Sequence, residues 1–526
     1  MHDKYFRFMV VMRQTPAFTA LMAALVTGFA AGFIYLLSIT NILGLRTVFV
    51  LLTSLLLIYL ALEVNRVRRL HPVRWLINPA VLCSLMVFVL GFGVTNFLYF
   101  LPEDILYLVW LRREMTASMN KLMLLAVIGA VAMWLGYWTP LAARLMSRGS
   151  LIKLRKKFFE FDAEPKAWVL VGLVFAGLAS RLIQIQLGLF GYSSSYDRHI
   201  EAASYTQYLS MGSSLGKLAL VIAAFQYYSP QPGRQARAWL LGILAYEIMF
   251  GFLTGSKSAV VMPFIIVMLC QYLRIGRASR HWIIVIPLAL IIAYAVVEPF
   301  RVALNENPGL KGASLTSTVN TLMNSTLSAA REAGMDEKTF LLSGMEEKTL
   351  LLSGTEKMAL LLLRVINRLN LTYVGSLGIA FADNNESLPA GSPEFLRNIL
   401  LAPLHAWIPR FLWEGKPLGN AGMWYTQTVM GLDQQITTTA MGPFTHLYFA
   451  GGIIAVFFGF IFIGFIQRVI FFVTQPWISP AGGVVYLGIL STLIVGENSF
   501  NGIIVSLFRE LPLILMLQIF LYKRTS

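Results

Sequence analysis

Apolar runs of about 20 residues recur along this chain, and a run of that length matches the thickness of a bilayer. They read as Ala17–Ile39, Thr47–Leu62, Ile77–Tyr99 and Lys121–Trp138. Ala167–Ile185, Ser213–Tyr228, Trp239–Leu253, Ser258–Leu273 and Trp282–Val297 follow. Thr445–Val473, Ala481–Val495 and Ile503–Tyr522 complete the set. Lipid offers no partner to backbone N–H and C=O groups, so runs of this kind fold as helices. The expectation is an all-α polytopic transmembrane bundle of about twelve helices. Charged residues make up only 13% of the chain, about half the usual share of a soluble domain.

The net charge of +16 does not call for a nucleic-acid partner, because basic loops on one side of a membrane produce it as well. Arg66, Arg68, Arg69 and Arg74 follow the second run, and Arg144, Arg148, Lys153 and Arg155 follow the fourth. Arg234 and Arg237 follow the sixth run, Arg274, Arg277 and Arg280 the eighth, and Lys523 and Arg524 end the chain. All of these share one side if both termini are cytoplasmic. The first apolar run lacks a cleavage site and reads as a retained helix. Cys83 and Cys270 both lie inside apolar runs, so neither a disulfide framework nor a thiolate metal site follows.

Three regions result: helices one to nine over 1–297, a large external loop over 298–444, and helices ten to twelve over 445–526. The loop is too apolar for disorder. Met358–Leu363, Leu369–Ala382 and Phe395–Leu404 predict short helices forming a lid over the membrane mouth. A short duplication lies within it: Glu337–Gly344 recurs as Glu347–Gly354. Two copies are too few for a solenoid.

The loop ends on a distinctive stretch. Ile408-Pro409-Arg410 is followed by Trp413 and Lys416-Pro417, then by a Thr-rich run and a helix carrying Gly451-Gly452. The prolines fix φ and hold Arg410 and Lys416 on stiffened backbone. The pattern resembles the Wzy-type polysaccharide repeat-unit polymerases, sharply over about 50 residues and by helix layout elsewhere. That resemblance implies a glycosyltransferase C-superfamily-like bundle in a bacterial inner membrane. It implies an enzyme that joins oligosaccharide repeat units carried on undecaprenyl pyrophosphate into O-antigen, capsule or exopolysaccharide. Metal-ligand spacing of the His-Glu-x-x-His or Cys-x-x-Cys kind is missing from the sequence, so no metal or cofactor is expected and cations would do the work of a metal. Besides the lipid-linked donor and acceptor and the membrane lipids, the implied partners are a chain-length regulator and a flippase.

Such chemistry needs cations for a pyrophosphate and a base for an acceptor hydroxyl. The expected catalytic set is Arg301, Arg410, His446 and Glu497. Arg301 follows the ninth run, His446 opens the tenth, and Glu497 turns between the last two. The expected substrate-binding set is Lys257, Lys416, Arg181, Arg198, Tyr196 and Trp413. His199 and His405 are further bases. Each has a plainer role: Arg181 snorkels to head groups, Lys257 ends a helix, His446 packs at a helix end, Glu497 serves a turn. The alternatives for the whole chain are an O-antigen ligase and a secondary transporter or flippase. Transporters are built from repeated halves with interrupted helices, and no such repetition is visible here.

Overall fold

A computed structural model of the chain describes residues 15–72, 74–101, 115–146, 153, 159, 167–194, 202–230 and 232–307. It further describes 315–335, 363, 366–385, 388–408, 412–413, 416, 421–432, 441–496 and 498–521. Among the described residues eleven helices are long and apolar enough to cross a membrane. The chain is a multi-pass membrane protein.

In order the spans are α1 (Thr15–Ile39), α2 (Leu45–Leu70), α3 (Pro79–Phe100) and α4 (Ala117–Trp138). Then come α5 (Ala167–Gln186), α6 (Ala203–Tyr227), α7 (Ala236–Leu253), α8 (Lys257–Ile275) and α9 (Trp282–Glu306). The loop contributes α10 (Leu315–Met335), α11 (Thr372–Asn384), α12 (Pro393–Leu400) and α13 (Ala402–Trp407). The chain closes with α14 (Pro443–Thr474), α15 (Pro480–Leu493) and α16 (Phe500–Leu521).

The eleventh expected span is shorter than its apolar run. α15 has 14 residues, about 21 Å at 1.5 Å per residue. It stops short because its end is provided for inside the protein. The buried Gln467 donates from Nε2 to the Leu493 carbonyl at 2.7 Å, satisfying an orphan acceptor that lipid would leave bare. The ninth span is longer than expected. Pro299 reads as a helix stop, yet α9 continues through it to Glu306. One lost N–H is tolerated where neighbouring protein covers the backbone.

Two spans are interrupted. In α3 an α-turn gives way to a π-helical stretch over Ser84–Gly91 and then to a 3-10 stretch over Val94–Phe100. In α14 the helix breaks at Gly452, with φ 61° and ψ −148°, a region open to glycine and costly for other residues. The Phe449 carbonyl freed by that break accepts the N–H groups of Gly391 (3.0 Å) and Ser392 (2.8 Å). The freed Gly91 carbonyl of α3 accepts the Leu371 N–H at 3.0 Å. Loop segments thus supply what the broken helices lack. Among the loop's described helices, α11 packs among α3, α4 and α14, with Ile379 and Ala382 fully buried.

Packing is tightest between α4 and α14. A Cβ at Gly464 would meet the Met133 carbonyl at 1.8 Å, and one at Gly136 the Ile461 carbonyl at 2.0 Å. Backbone rests on backbone there, as small residues permit in membranes. Two large apolar cores and two small ones result among the described residues. One large core joins α1–α4, α11 and the first half of α14. The other large core joins α5–α8, α15 and the second half of α14. α14 is the shared wall.

Candidate functional site

The turn between α7 and α8 makes a cation cluster out of residues far apart in sequence. Thr254-Gly255-Ser256 reverses the chain, with Gly255 at φ 64°, and the Thr254 carbonyl accepts the Tyr192 N–H at 2.8 Å. Lys257, the first residue of α8, forms an ion pair with Glu298 of α9. Its ammonium also sits 3.7 Å from the centre of the Tyr294 ring. One turn further along α9, Arg301 donates from Nε to the Gly255 carbonyl at 2.6 Å. Its guanidinium lies 4.6 Å over the Tyr192 ring. Arg368, just before α11, adds its charge to the same place, acting on both Lys257 and Tyr294. Three cations, one carboxylate and two phenol rings thus converge.

The cluster is open. Glu298 and Arg368 are exposed, and Lys257, Arg301 and Tyr192 are half-buried. Nε alone of the Arg301 nitrogens is hydrogen-bonded among the described residues. Among the described residues the flat fork of its Nη atoms has no hydrogen-bond partner, and such a fork matches phosphate oxygens two at a time.

Arg181 lies elsewhere and is sealed. It pairs with Glu247 of α7 through Nη2, at 2.8 Å to Oε1 and 2.9 Å to Oε2. The same nitrogen donates to the Ser213 carbonyl at 3.2 Å. Tyr246 and Phe250 cover the guanidinium at 4.8 and 5.0 Å. Snorkelling does not occur. Arg181 is the buried half of an ion pair.

Lys416 and Trp413 hold the loop together. Lys416 donates to the Ile408 carbonyl at the end of α13 (2.9 Å) and to Gln207 Oε1 of α6 (3.0 Å). Trp413 leans on His405, ring centres 5.1 Å apart. Burial and the neighbouring Lys416 charge push the His405 pKa below its ordinary value.

His446 is not at an open mouth. It is buried, 3% exposed, with the Phe395 ring edge-on at 5.6 Å. Its Nδ1 accepts the Asn501 N–H at 3.3 Å. A neutral imidazole whose Nδ1 accepts carries its proton on Nε2, so no lone pair is left to take one. Arg410, Glu497, Tyr196, Arg198, His199 and the duplication over 337–354 lie outside the described residues.

The loop from Tyr192 to His199, with its mix of aromatic and polar residues, is one the sequence marks as suited to sugar rings, whereas Glu298, Tyr294 and Arg368 carry no such mark. Sequence reasoning missed a second ensemble too: Lys121 of α4 reaches both oxygens of Asp383 at 2.8 Å, and Tyr448 donates to that carboxylate at 2.7 Å. That set ties α11 to α4 and α14. The one available signal was the pair of charges Glu298 and Arg301, a single helical turn apart beside the Gly255 turn.

Compared with family models, with curated proteins and with solved structures, the chain matches none of them.

Proposed function

We propose that this chain is a glycan polymerase of the Wzy kind, working on undecaprenyl-pyrophosphate-linked repeat units in a bacterial inner membrane. Both termini are then cytoplasmic and the loop face external, as the basic loops suggest. The observation that carries the reading is the open cluster of Lys257, Arg301 and Arg368 beside Glu298. A donor pyrophosphate displaces Glu298 as the partner of Lys257 and takes the Nη fork of Arg301. The acceptor hydroxyl attacks the anomeric carbon as the carbon–oxygen bond to the pyrophosphate breaks. The departing pyrophosphate keeps the electron pair, and the cations stabilise the charge it gains. The released Glu298 carboxylate takes the hydroxyl proton. Tyr192 and Tyr294 offer faces to sugar rings. An O-antigen ligase uses the same donor end and differs only in its acceptor.

A transporter or flippase is the second reading, and the breaks in α3 and α14 favour it, since interrupted helices line many transport sites. Purified protein reconstituted with an undecaprenyl-pyrophosphate-linked repeat unit separates the two. Polymerisation gives a ladder of longer glycans, whereas transport moves the unit across sealed vesicles unchanged. A product of unaltered length with efficient translocation overturns the polymerase.

A further inference from the structure

The opposite end of the bundle carries a second cation–aromatic arrangement with a different construction. α2 ends at Leu70, and His71 and Arg74 follow in the turn toward α3. Asn78 caps α3 by accepting the Ala80 N–H at 3.0 Å. The Asn78 amide also donates to the Tyr137 hydroxyl oxygen at 2.5 Å. Arg468 of α14 donates to the same oxygen at 3.2 Å. That phenol oxygen receives two donors, so its own proton must point elsewhere. Among the described residues nothing accepts it, although Tyr137 is buried, 1% exposed.

Arg468 rests on two rings, 4.9 Å from the centre of Tyr137 and 5.4 Å from that of Trp138. Arg74 rests on Trp477 at 5.3 Å. The carboxylate nearby is already engaged: Glu63 pairs with Arg66 at 2.9 Å and accepts the Trp138 indole N–H at 3.0 Å. Arg468 therefore has no acid partner among the described residues. His71 feels both arginines: burial first, then the charges of Arg468 and Arg74, hold it below its ordinary pKa. An electropositive corner rimmed by tryptophans, at the end of a spanning bundle, is matched to the headgroup layer of a bilayer.

We propose that Arg468 and Arg74 bind the phosphodiester of an anionic membrane lipid in the adjoining leaflet, with Arg468 held in place by the buried Tyr137. The guanidinium of Arg468 supplies charge and donors to the phosphate oxygens. Trp138 and Trp477 lie against the glycerol and upper acyl region. The site is independent of which side of the membrane this end faces and of the polymerase reading.

The test uses the full chain in detergent micelles with fluorescent phosphatidylglycerol as the probe. Unlabelled phosphatidylglycerol, phosphatidylcholine and inorganic phosphate serve as competitors. Unlabelled phosphatidylglycerol competes, and the other two require at least about tenfold more, the value of one charged hydrogen bond. Arg468→Gln weakens the probe about tenfold, and Arg468→Lys keeps part of that binding because charge remains without the fork. Arg68→Gln, exposed on the last turn of α2, changes nothing. If Arg468→Gln fails to give monodisperse protein, Arg74→Gln, which is exposed, carries the same comparison. Equal binding by wild type and the arginine variants overturns the site. Equal competition by phosphatidylcholine overturns the anionic selectivity, and equal competition by inorganic phosphate overturns the lipid as ligand.

Discussion

Two cation–carboxylate pairs near the loop end of the bundle are built from the same chemistry and stand in opposite surroundings. Arg181–Glu247 is sealed, with side chains 7% and 3% exposed, while Lys257–Glu298 is open at 20% and 48%. Both have phenol rings beside the cation. The difference lies in what can replace the partner. Nothing reaches Arg181, so its carboxylate is permanent and the pair belongs to the fold of α5, α6 and α7. Lys257 faces an opening, so its carboxylate can give way to an anion. Charge near a membrane mouth is thus weak grounds for a site; exchangeable charge is stronger.

The contrast breaks most visibly at Glu247. Glu247→Ala leaves Arg181 charged and buried without its acid, which costs about 3–5 kcal/mol. The expected outcome is a large fall in thermal midpoint in detergent, or no monodisperse protein. A midpoint within a degree of wild type contradicts the sealed reading. At the open cluster the loss moves from stability to rate. If the proposed polymerase reading holds, Arg301→Ala lowers polymerisation about 100- to 1000-fold, as removal of one preorganised donor does. Its midpoint changes little, and Arg301→Lys recovers part of the rate. The readout is initial rate of ladder formation at matched protein.

Glu298→Gln sharpens the comparison further. Loss of a general base costs about 100-fold or more. Loss of an exposed ion pair costs about 0–1 kcal/mol. A slow enzyme with a near-normal midpoint is expected; wild-type rate would remove Glu298 as base and return attention to Asp383. The smallest effect is in the loop. His405 has its pKa held down by burial and Lys416. The unfolded chain therefore binds a proton that the folded chain resists. Stability is intact above about pH 6.5, the free histidine value, and falls as pH drops below it. His405→Gln should flatten that slope in midpoints measured from pH 7.5 to 5.

Much of this fold was legible in the sequence, because lipid forces each apolar run into a helix whatever its neighbours do. The misreadings share one cause. Pro299 signals a stop locally, and Gly451-Gly452 looks like ordinary small residues in a helix. Whether backbone continues or breaks depended on partners such as Gly391 and Ser392, far away in the chain. The site was legible in part. Lys257 and Arg301 could be picked from position, since both flank loop-side helix ends. Their carboxylate could not, because Lys257 and Glu298 are 41 positions apart and meet only through the α8–α9 pairing. His446 sat well in sequence, at the head of a helix, but Phe395 and Asn501 close over it.

Under the proposed function the open cluster takes a lipid pyrophosphate, and binding of labelled undecaprenyl pyrophosphate tests that without requiring turnover. Wild type, Arg301→Ala and Arg68→Gln are compared in the same micelles. The prediction is that Arg301→Ala weakens binding by about tenfold or more, the value of a charged contact, while Arg68→Gln binds as wild type does. Equal affinity across all three proteins would contradict it.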